Sequence, residues 1–275
     1  MFDNNPFAEL SASISPDIMQ AYVILMVVFV IAGTILDMMH KKSAEYFFQN
    51  AEKAKKNAKR TVSGGEKVSL AVATVANEVL TSGEFKSTRR RLSHLLTMYG
   101  FIIFVATTAW LIFSYTSETA PTALTAMWHI GAIMLCLGGY WFWFFIRVDV
   151  ASEGVKWYNF NGRGDIFIVS LITTATFALL WSGTMNMIFF ALFIVSSTTL
   201  FSTVFWSKFA HMFFKPAAAF QKRTTKADGS CENLPEVGEL SDPAVQAKFP
   251  DIPEYMGENP PNMGPGIKRE APSHY

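Results

Sequence analysis

Histidine is the side chain of this sequence best suited to metal chemistry, and its positions follow a pattern. His40, His94 and His211 each lie at an end of a long apolar segment, next to Lys or Arg residues. Two imidazoles on facing helices are how a helical bundle holds a haem iron. The open pairs are therefore His94–His211, His40–His94 and His40–His211. The alternative is that these side chains only contact lipid headgroups or cap helix carbonyls.

The other histidine and cysteine residues are weaker candidates for metal ligands. His129 lies inside an apolar segment with no histidine partner at its level. Two interpretations stay open for it, namely a neutral ring bonded to a neighbouring helix carbonyl or a hydrogen bond to a quinone ring. Cys136 and Cys231 are too few and too far apart for an iron–sulfur cluster or a zinc site.

Two charged residues border or enter the apolar segments. Asp37 lies one helical turn from the end of the first segment, so it either reaches the interface, pairs with Lys41, or relays protons for a quinone. Arg147 and Asp149 follow the third segment and are expected to be ordinary interfacial anchors.

The elements that must position these residues are membrane spans. Apolar residues make up 51% of the 275 residues, and they cluster in runs near the roughly 20 residues needed to cross a bilayer. We expect an all-α integral membrane bundle of five transmembrane helices, the fourth being the shortest and the last continuing as an amphipathic stretch to about Phe214. The five runs are Ile18–Met39, Ser93–Tyr115, Thr122–Ile146, Ile166–Ser182 and Met187–Trp206.

The basic residues indicate the orientation. All 23 Lys and Arg residues fall in three segments, 41–91, 147–163 and 208–275. Segments rich in Lys and Arg stay in the cytoplasm during insertion. We therefore expect a multi-pass protein of a bacterial inner (cytoplasmic) membrane, with its N-terminus outside and nearly all of its polar mass in the cytoplasm.

The same pattern divides the chain. Residues 40–92 read as a helical hairpin broken at Ser63-Gly64-Gly65, and this hairpin lies on lipid headgroups, receives a soluble subunit, or does both. The Pro-rich tail lacks helical periodicity and is expected to be disordered, either passive or laid across a partner. The divisions are an external segment 1–17, a first span 18–39, a basic cytoplasmic loop 40–92, a bundle 93–214 and a tail 215–275.

Two motifs carry a resemblance to a known family. An arginine-flanked His94 opens the second span and is followed by Gly100-Phe101, and a Lys208-Phe209-Ala210-His211-Met212 run with Pro216 closes the last span. In these motifs and in span number, residues 20–215 resemble five-span cytochrome b-type membrane subunits, such as the gamma subunit of respiratory nitrate reductase. Closest in appearance are the membrane subunit of the quinone-interacting oxidoreductase of sulfate reducers and the membrane anchor associated with adenylylsulfate reductase.

The resemblance implies cofactors. His94 and His211, with His40 as a further candidate, match the ligands of the haem nearer the cytoplasm. Phe104 and Phe193 stand where members with two haems carry the other histidines. The chain is then expected to hold at most one haem b and no iron–sulfur cluster, with quinone as the redox partner.

The resemblance also implies a function. The chain is expected to be a non-catalytic or quinone-reactive subunit that transfers electrons between a soluble cytoplasmic oxidoreductase, with adenylylsulfate reductase as the first candidate, and the membrane quinone. The alternative is a purely structural anchor without a redox group. A transporter is disfavoured because the spans lack the buried charge and helix breaks of transport sites. No nucleic-acid partner is expected.

Overall fold

The fold is helical throughout the part of the chain that the structure describes. The structure is a computed structural model that describes residues 4–41, 43–83, 85, 87–116, 119–150, 153–207, 211–230 and 243. At residues 41, 43, 44, 46 and 211–213 it describes the backbone alone. Two compact units form: the bundle, of Met1–Glu45 and Asn77–Pro216, and the helical module, of Tyr46–Ala76 and Ala217–Tyr275.

The helices follow one another with short connections. In chain order they are α1 Pro6–Leu10, α2 Pro16–Lys41, α3 Ser43–Lys56, α4 Gly64–Thr74, α5 Thr88–Ser114, α6 Thr122–Trp141, α7 Gly162–Thr184, α8 Met187–Ser202 and α9 His211–Ala227. A π-helical turn follows α4 at Val75–Leu80, and another follows α6 at Phe142–Ile146.

Five long helices form the bundle as a closed ring. Helix α2 packs against both α5 and α8, and the remaining contacts run α5–α6, α6–α7 and α7–α8. Helices joined by short loops pack antiparallel, so α5 to α8 alternate in direction. Every element of the ring thus has two neighbours, with the buried aromatic and aliphatic side chains inside.

The two ends of the bundle differ in charge. The basic end is where α5 begins and α6 ends, and the closed end holds α1 with the connections α5–α6 and α7–α8. The described cations of the bundle whose side chains are placed all lie at the basic end: Arg89, Arg90, Arg91, Arg147, Lys156, Arg163 and Lys215.

Four helices are long and apolar enough to cross a membrane. They are Pro16–His40, Thr88–Ser114, Thr122–Ile146 and Gly162–Thr184, among the described residues. The prediction that the fourth span is the shortest is wrong, because that helix has 23 residues and α8 has 16. Sixteen residues extend about 24 Å, which is less than the roughly 30 Å of hydrocarbon.

Helix α8 also ends earlier than the sequence pattern suggested. It stops at Ser202, and a turn occupies residues 203–207 in place of a helix that continues to Trp206 or Phe214. The turn closes with hydrogen bonds from the amides of Trp206 and Ser207 to the carbonyl of Thr203. The helix that follows is therefore a separate element.

Glycines let α5 and α6 approach closely. A Cβ atom at Gly131 would lie 2.7 Å from the backbone nitrogen of Phe104, and one at Gly100 would lie 2.8 Å from that of Leu135. The Ser93 hydroxyl donates to the carbonyl of Gly138 at 2.8 Å. Small residues and hydroxyl groups of this kind drive helix association in membranes, where apolar burial contributes little.

The helical module holds α3, α4 and most of α9. Ser63 caps α4 by accepting from the amide of Glu66, at the break expected from the sequence. The amides of Lys59 and Arg60 donate to the carbonyl of Asp228 at 2.8 and 3.1 Å. The connection between α3 and α4 is therefore held against the end of α9.

This arrangement corrects the predicted tail boundary. Residues 215–227 were expected to be extended, but they belong to α9, and from Ala217 onward the helix lies in the module. Helix α9 continues through Pro216 to Ala227, and its last turn carries Lys226. Apart from Pro243, residues 231–275 of the predicted tail lie outside the described part of the chain.

Candidate functional site

At the basic end, His94 contacts a buried serine and an aromatic ring. Its Nδ1 is 3.0 Å from the hydroxyl of Ser82, and the Phe85 ring packs against the imidazole with ring centres 4.9 Å apart. Ser82 is fully buried and adopts a left-handed backbone with φ of 48°. Serine rarely adopts this conformation, so the surrounding contacts must hold it in place.

Those contacts come from one side of α5. The Arg91 Nε donates to the carbonyl of Thr81 at 2.7 Å, and the Tyr99 hydroxyl donates to the carbonyl of Leu80 at 2.7 Å. The segment that holds Ser82 follows directly after the π-helical turn Val75–Leu80. Such turns are frequent at functional sites. The result is a fixed hydroxyl that orients the His94 ring.

The contact between Ser82 and His94 resembles the support that metal-binding histidines often have. Such histidines commonly bond through one ring nitrogen to a fixed acceptor, which sets the tautomer and directs the other nitrogen at the metal. If the Ser82 hydroxyl accepts from Nδ1, an iron at this place would be bound by Nε2. The role of His94 as an axial ligand stays a prediction.

Of the two predicted partner histidines of His94, the structure describes the side chain of one, His40. His40 is exposed, and its ring packs edge-on against Phe205 with ring centres 5.5 Å apart. His211 begins α9 and does not close the fifth span, and its side chain lies outside the described residues. No group of three or more His, Cys, Asp or Glu side chains that could hold a metal occurs in the described part. The pairs stay predictions.

His129 is bonded on both sides inside the bundle. Its Nδ1 lies 2.8 Å from the carbonyl of Thr125 on the same helix, and its Nε2 lies 2.7 Å from the hydroxyl of Ser182 on α7. The ring is fully buried. These bonds fit the structural interpretation of His129, although one partner is its own helix and the other is a hydroxyl.

Aromatic rings fill the interior towards the closed end. Trp181 and Phe193 stack with ring centres 5.9 Å apart, and Phe104 meets Phe193 at 6.4 Å. Phe7 from α1 enters edge-on between Trp128 and Trp181, at 5.7 and 5.4 Å. Phe104 and Phe193, which the resemblance aligns with the ligands of a second haem, both belong to this packed core.

A small cavity borders this aromatic cluster. It has a volume of about 220 Å³ and lies between α1, α2, α5 and α8, with walls that include Phe7, Ile112 and Phe193. Ligand pockets usually measure roughly 300–1,000 Å³ and carry a few polar groups. The wall of this cavity is apolar and its volume is below that range.

Arg147 is the functional residue that sequence reasoning misread. It was expected to be an interfacial anchor, yet it is 1% exposed and its Nη2 lies 2.5 Å from a carboxylate oxygen of Asp165. It also donates to the carbonyls of Lys156 and Asn159 at 3.0 and 2.6 Å, and its guanidinium lies over the Trp143 ring. The pair fixes the loop between α6 and α7.

Asp37, which was expected to reach the interface, pair with Lys41 or relay protons for a quinone, is likewise buried. It is 2% exposed in α2, one turn after Gly33, where a Cβ atom would lie 2.9 Å from Cβ of Val204. The side chain of Lys41, one of its expected partners, lies outside the described residues. The signal that could have revealed burial is Gly33, because a glycine one turn away marks a helix face in close contact.

Comparison with protein-family models, with curated proteins and with solved structures finds no match for this chain.

Proposed function

We propose that this chain is a membrane subunit that anchors a soluble cytoplasmic oxidoreductase at a bacterial inner membrane and connects it to the quinone pool. The observation that supports this most is the one-ended charge of an apolar bundle. Its placed cations lie at the basic end, while the first turns of α1 and α2 at the closed end carry Glu9 and Asp17. A protein charged in this way presents one face to the cytoplasm.

The orientation follows from the same charges. The basic end, together with the lysines of α3 and α9, lies in the cytoplasm, and α1 lies outside. In this arrangement α8 completes a fifth span that is short and adapts through its flanking residues. A docked soluble enzyme then meets the surface nearest His94.

Electron transfer is the leading form of this proposal. One haem b would be held by His94 with His211 or His40, and it would supply one-electron transfer between the docked enzyme and quinone. The chain's own part is to orient the His94 ring through Ser82 and to exclude water by packing Phe85 against it. The resemblance makes adenylylsulfate reductase the first soluble partner to test.

A structural anchor without a redox group is the second candidate. It is favoured by the single oriented imidazole and by the aromatic rings that fill the interior. In this form the chain recruits the soluble enzyme, and quinone reacts elsewhere. The two forms have the same membrane topology. Only the electron-transfer form has the visible absorbance of a haem.

Absorbance of the purified protein separates the two forms. The electron-transfer form predicts a haem band in the reduced-minus-oxidised spectrum that is lost in H94A and in H211A. The matched control is H274A, which removes an imidazole from the end of the chain and should keep the band. H40A decides which pair binds. A colourless protein that still co-purifies with a soluble oxidoreductase would establish the structural form.

Cysteine labelling tests the orientation. In a chain without its native cysteines, S13C should react with an impermeant maleimide added to intact spheroplasts, and K55C should react only after permeabilisation. Reaction of K55C in intact spheroplasts would contradict the whole proposal, since the docking face would then lie outside.

A further inference from the structure

The connection between α6 and α7 carries two exposed aromatic rings on a turn. Trp157 and Tyr158 are the central residues of this turn, which closes with a hydrogen bond from the amide of Asn159 to the carbonyl of Lys156 at 2.9 Å. The two aromatic residues are 56% and 63% exposed. Central turn positions are usually taken by Gly, Pro, Asn, Asp or Ser. Exposed clusters of large apolar side chains mark interaction surfaces, so these rings indicate a contact outside the bundle.

Buried bonds hold this turn in one conformation. The Arg147 guanidinium donates to the carbonyls of Lys156 and Asn159, on either side of the two aromatic residues, at 3.0 and 2.6 Å. The Arg147 carbonyl accepts from the amide of Val155 at 3.1 Å. The same guanidinium is paired with the buried carboxylate of Asp165. The exposure of the two rings is therefore built into the fold of the connection.

The rings continue the outer face of a long apolar helix. Trp157 packs against Phe144 with ring centres 6.2 Å apart, and Phe144 stacks on Tyr140 at 6.0 Å. Tyr140 and Phe144 belong to Thr122–Ile146, which is long and apolar enough to cross a membrane. Phe144 and the adjacent Phe145 are both exposed. Because Trp157 contacts a residue of the last turn of this helix, its ring lies at the level where the apolar segment ends.

Phe160 brings the same connection to a second outer surface. It is exposed and borders a groove of about 260 Å³ between α7 and α8, whose walls also include Ile166 and the exposed Val195. Helix α7 is another of the helices long and apolar enough to cross a membrane. The aromatic residues of the connection are thus continuous with apolar surfaces on two sides of the bundle, and a bilayer covers such surfaces.

The chemistry of the turn suits the boundary between headgroups and acyl chains. Trp and Tyr are enriched at this level of a membrane, because their rings are apolar and carry a polar group. Lys156 Nζ lies 5.7 Å from the centre of the Tyr158 ring, and lysine at such a boundary keeps its charge in water while its stem covers apolar surface. We propose that the connection between α6 and α7 inserts Trp157, Tyr158 and Phe160 into the interfacial layer of the bilayer. This contact requires neither a redox group nor a soluble partner.

Fluorescence quenching of the full-length protein in liposomes tests the insertion. The liposomes contain phosphatidylglycerol and phosphatidylcholine, the latter brominated either near the glycerol end of its acyl chains or near their methyl end. The emission that is lost in W157F reports Trp157. Shallow bromines should quench this emission at least about twofold more than deep ones, because an interfacial indole lies at headgroup level. Iodide added to the water should quench it less than the shallow bromines do.

A buried tryptophan provides the matched control. Trp181 is fully buried in the aromatic core, so the emission lost in W181F should be quenched much less by either brominated lipid. An independent measurement uses Y158C, in a chain without its native cysteines, labelled with a nitroxide. The label should be more accessible to oxygen, which concentrates in lipid, than to a water-soluble nickel complex.

Three results would overturn the proposal. The first is a Trp157 emission that iodide quenches and brominated lipid does not. The second is protection of Trp157 from iodide only after the co-purifying soluble subunit is added, which would identify a protein contact. The third is a label on Y158C that the nickel complex reaches more readily than oxygen does, and this result decides the matter even where W157F fails to fold.

Discussion

The two ends of the bundle use similar side chains in opposite ways. At the closed end, Phe7, Trp128, Trp181 and Phe193 stack on one another, and the buried His129 bonds within the bundle. At the basic end, polar groups hold loops in fixed positions, as Arg147 does for the loop between α6 and α7. One end is a packed aromatic core, and at the other end hydrogen bonds and an ion pair hold the loops.

The two buried or half-buried imidazoles make the contrast specific. Each is bonded to a serine hydroxyl, His129 to Ser182 at 2.7 Å and His94 to Ser82 at 3.0 Å. The His129 bonds tie α6 to α7, which is a packing role. Ser82 lies on a strained turn outside the helices, so the bond to His94 fixes a ring near the edge of the bundle. The same pair of residue types serves stability at one end and orientation at the other.

The largest loss of stability is expected from a substitution in the aromatic core of the closed end. Trp181 is fully buried and stacks on Phe193, so W181A should lower the free energy of unfolding by about 3–5 kcal/mol through lost packing and an unfilled cavity. W181F should cost much less, because Trp181 Nε1 has no hydrogen-bond partner among the described residues. Unfolding in mixed micelles measures both. Similar values for the two variants would contradict a role in packing.

Removing the buried ion pair at the basic end should cause the next largest loss of stability. D165N removes the charge opposite the buried Arg147 and should cost about 1.5–3 kcal/mol, the range of a hydrogen bond to a charged group. It should also increase proteolysis of the loop between α6 and α7, which W181F should not change. A loop that stays resistant in D165N would show that Arg147 holds it through the carbonyl bonds alone.

A matched pair of serine variants tests the contrast between the imidazoles. S82A and S182A each remove one hydroxyl bonded to a histidine and should each cost about 0.5–1.5 kcal/mol of stability. In a haem-containing protein only S82A should change the absorbance band or weaken haem retention, by roughly 10–100-fold. A spectral change in S182A instead would place the haem at the closed end and reverse the comparison.

The sequence predicted the helices well because hydrophobic runs are a local signal. The ranges of α2, α5 and α6 with its π turn match the predicted spans within a few residues at most ends, since lipid selects apolar length directly. The break at Ser63 was also readable, since serine followed by two glycines is a strong helix-start and turn signal. Five spans and their orientation stay predictions.

The misread positions all depend on contacts between distant segments. Arg147 looks like an anchor because its partner Asp165 lies beyond a long loop, and nothing local indicates that the loop folds back. The end of α8 at Ser202 was missed because the apolar run continues through a turn. The left-handed conformation of Ser82 was not predicted, because bonds from α5 to its neighbours hold it in place.

The smallest effect is expected from an ion pair of the same chemistry in an exposed position. In the helical module, the hydrogen bond from Arg60 holds the pKa of Glu66 below its ordinary value. Because the folded-state pKa is lowered, this contribution to stability is present above about pH 4.3 and is lost as the pH falls through the lowered value. The stability difference between wild type and E66Q should therefore be constant near neutral pH and shrink below about pH 4. The D165N difference should stay larger throughout the neutral range, because burial protects that pair from solvent screening. Equal differences for E66Q and D165N at pH 7, measured by thermal unfolding at two salt concentrations, would show that burial does not separate the two pairs.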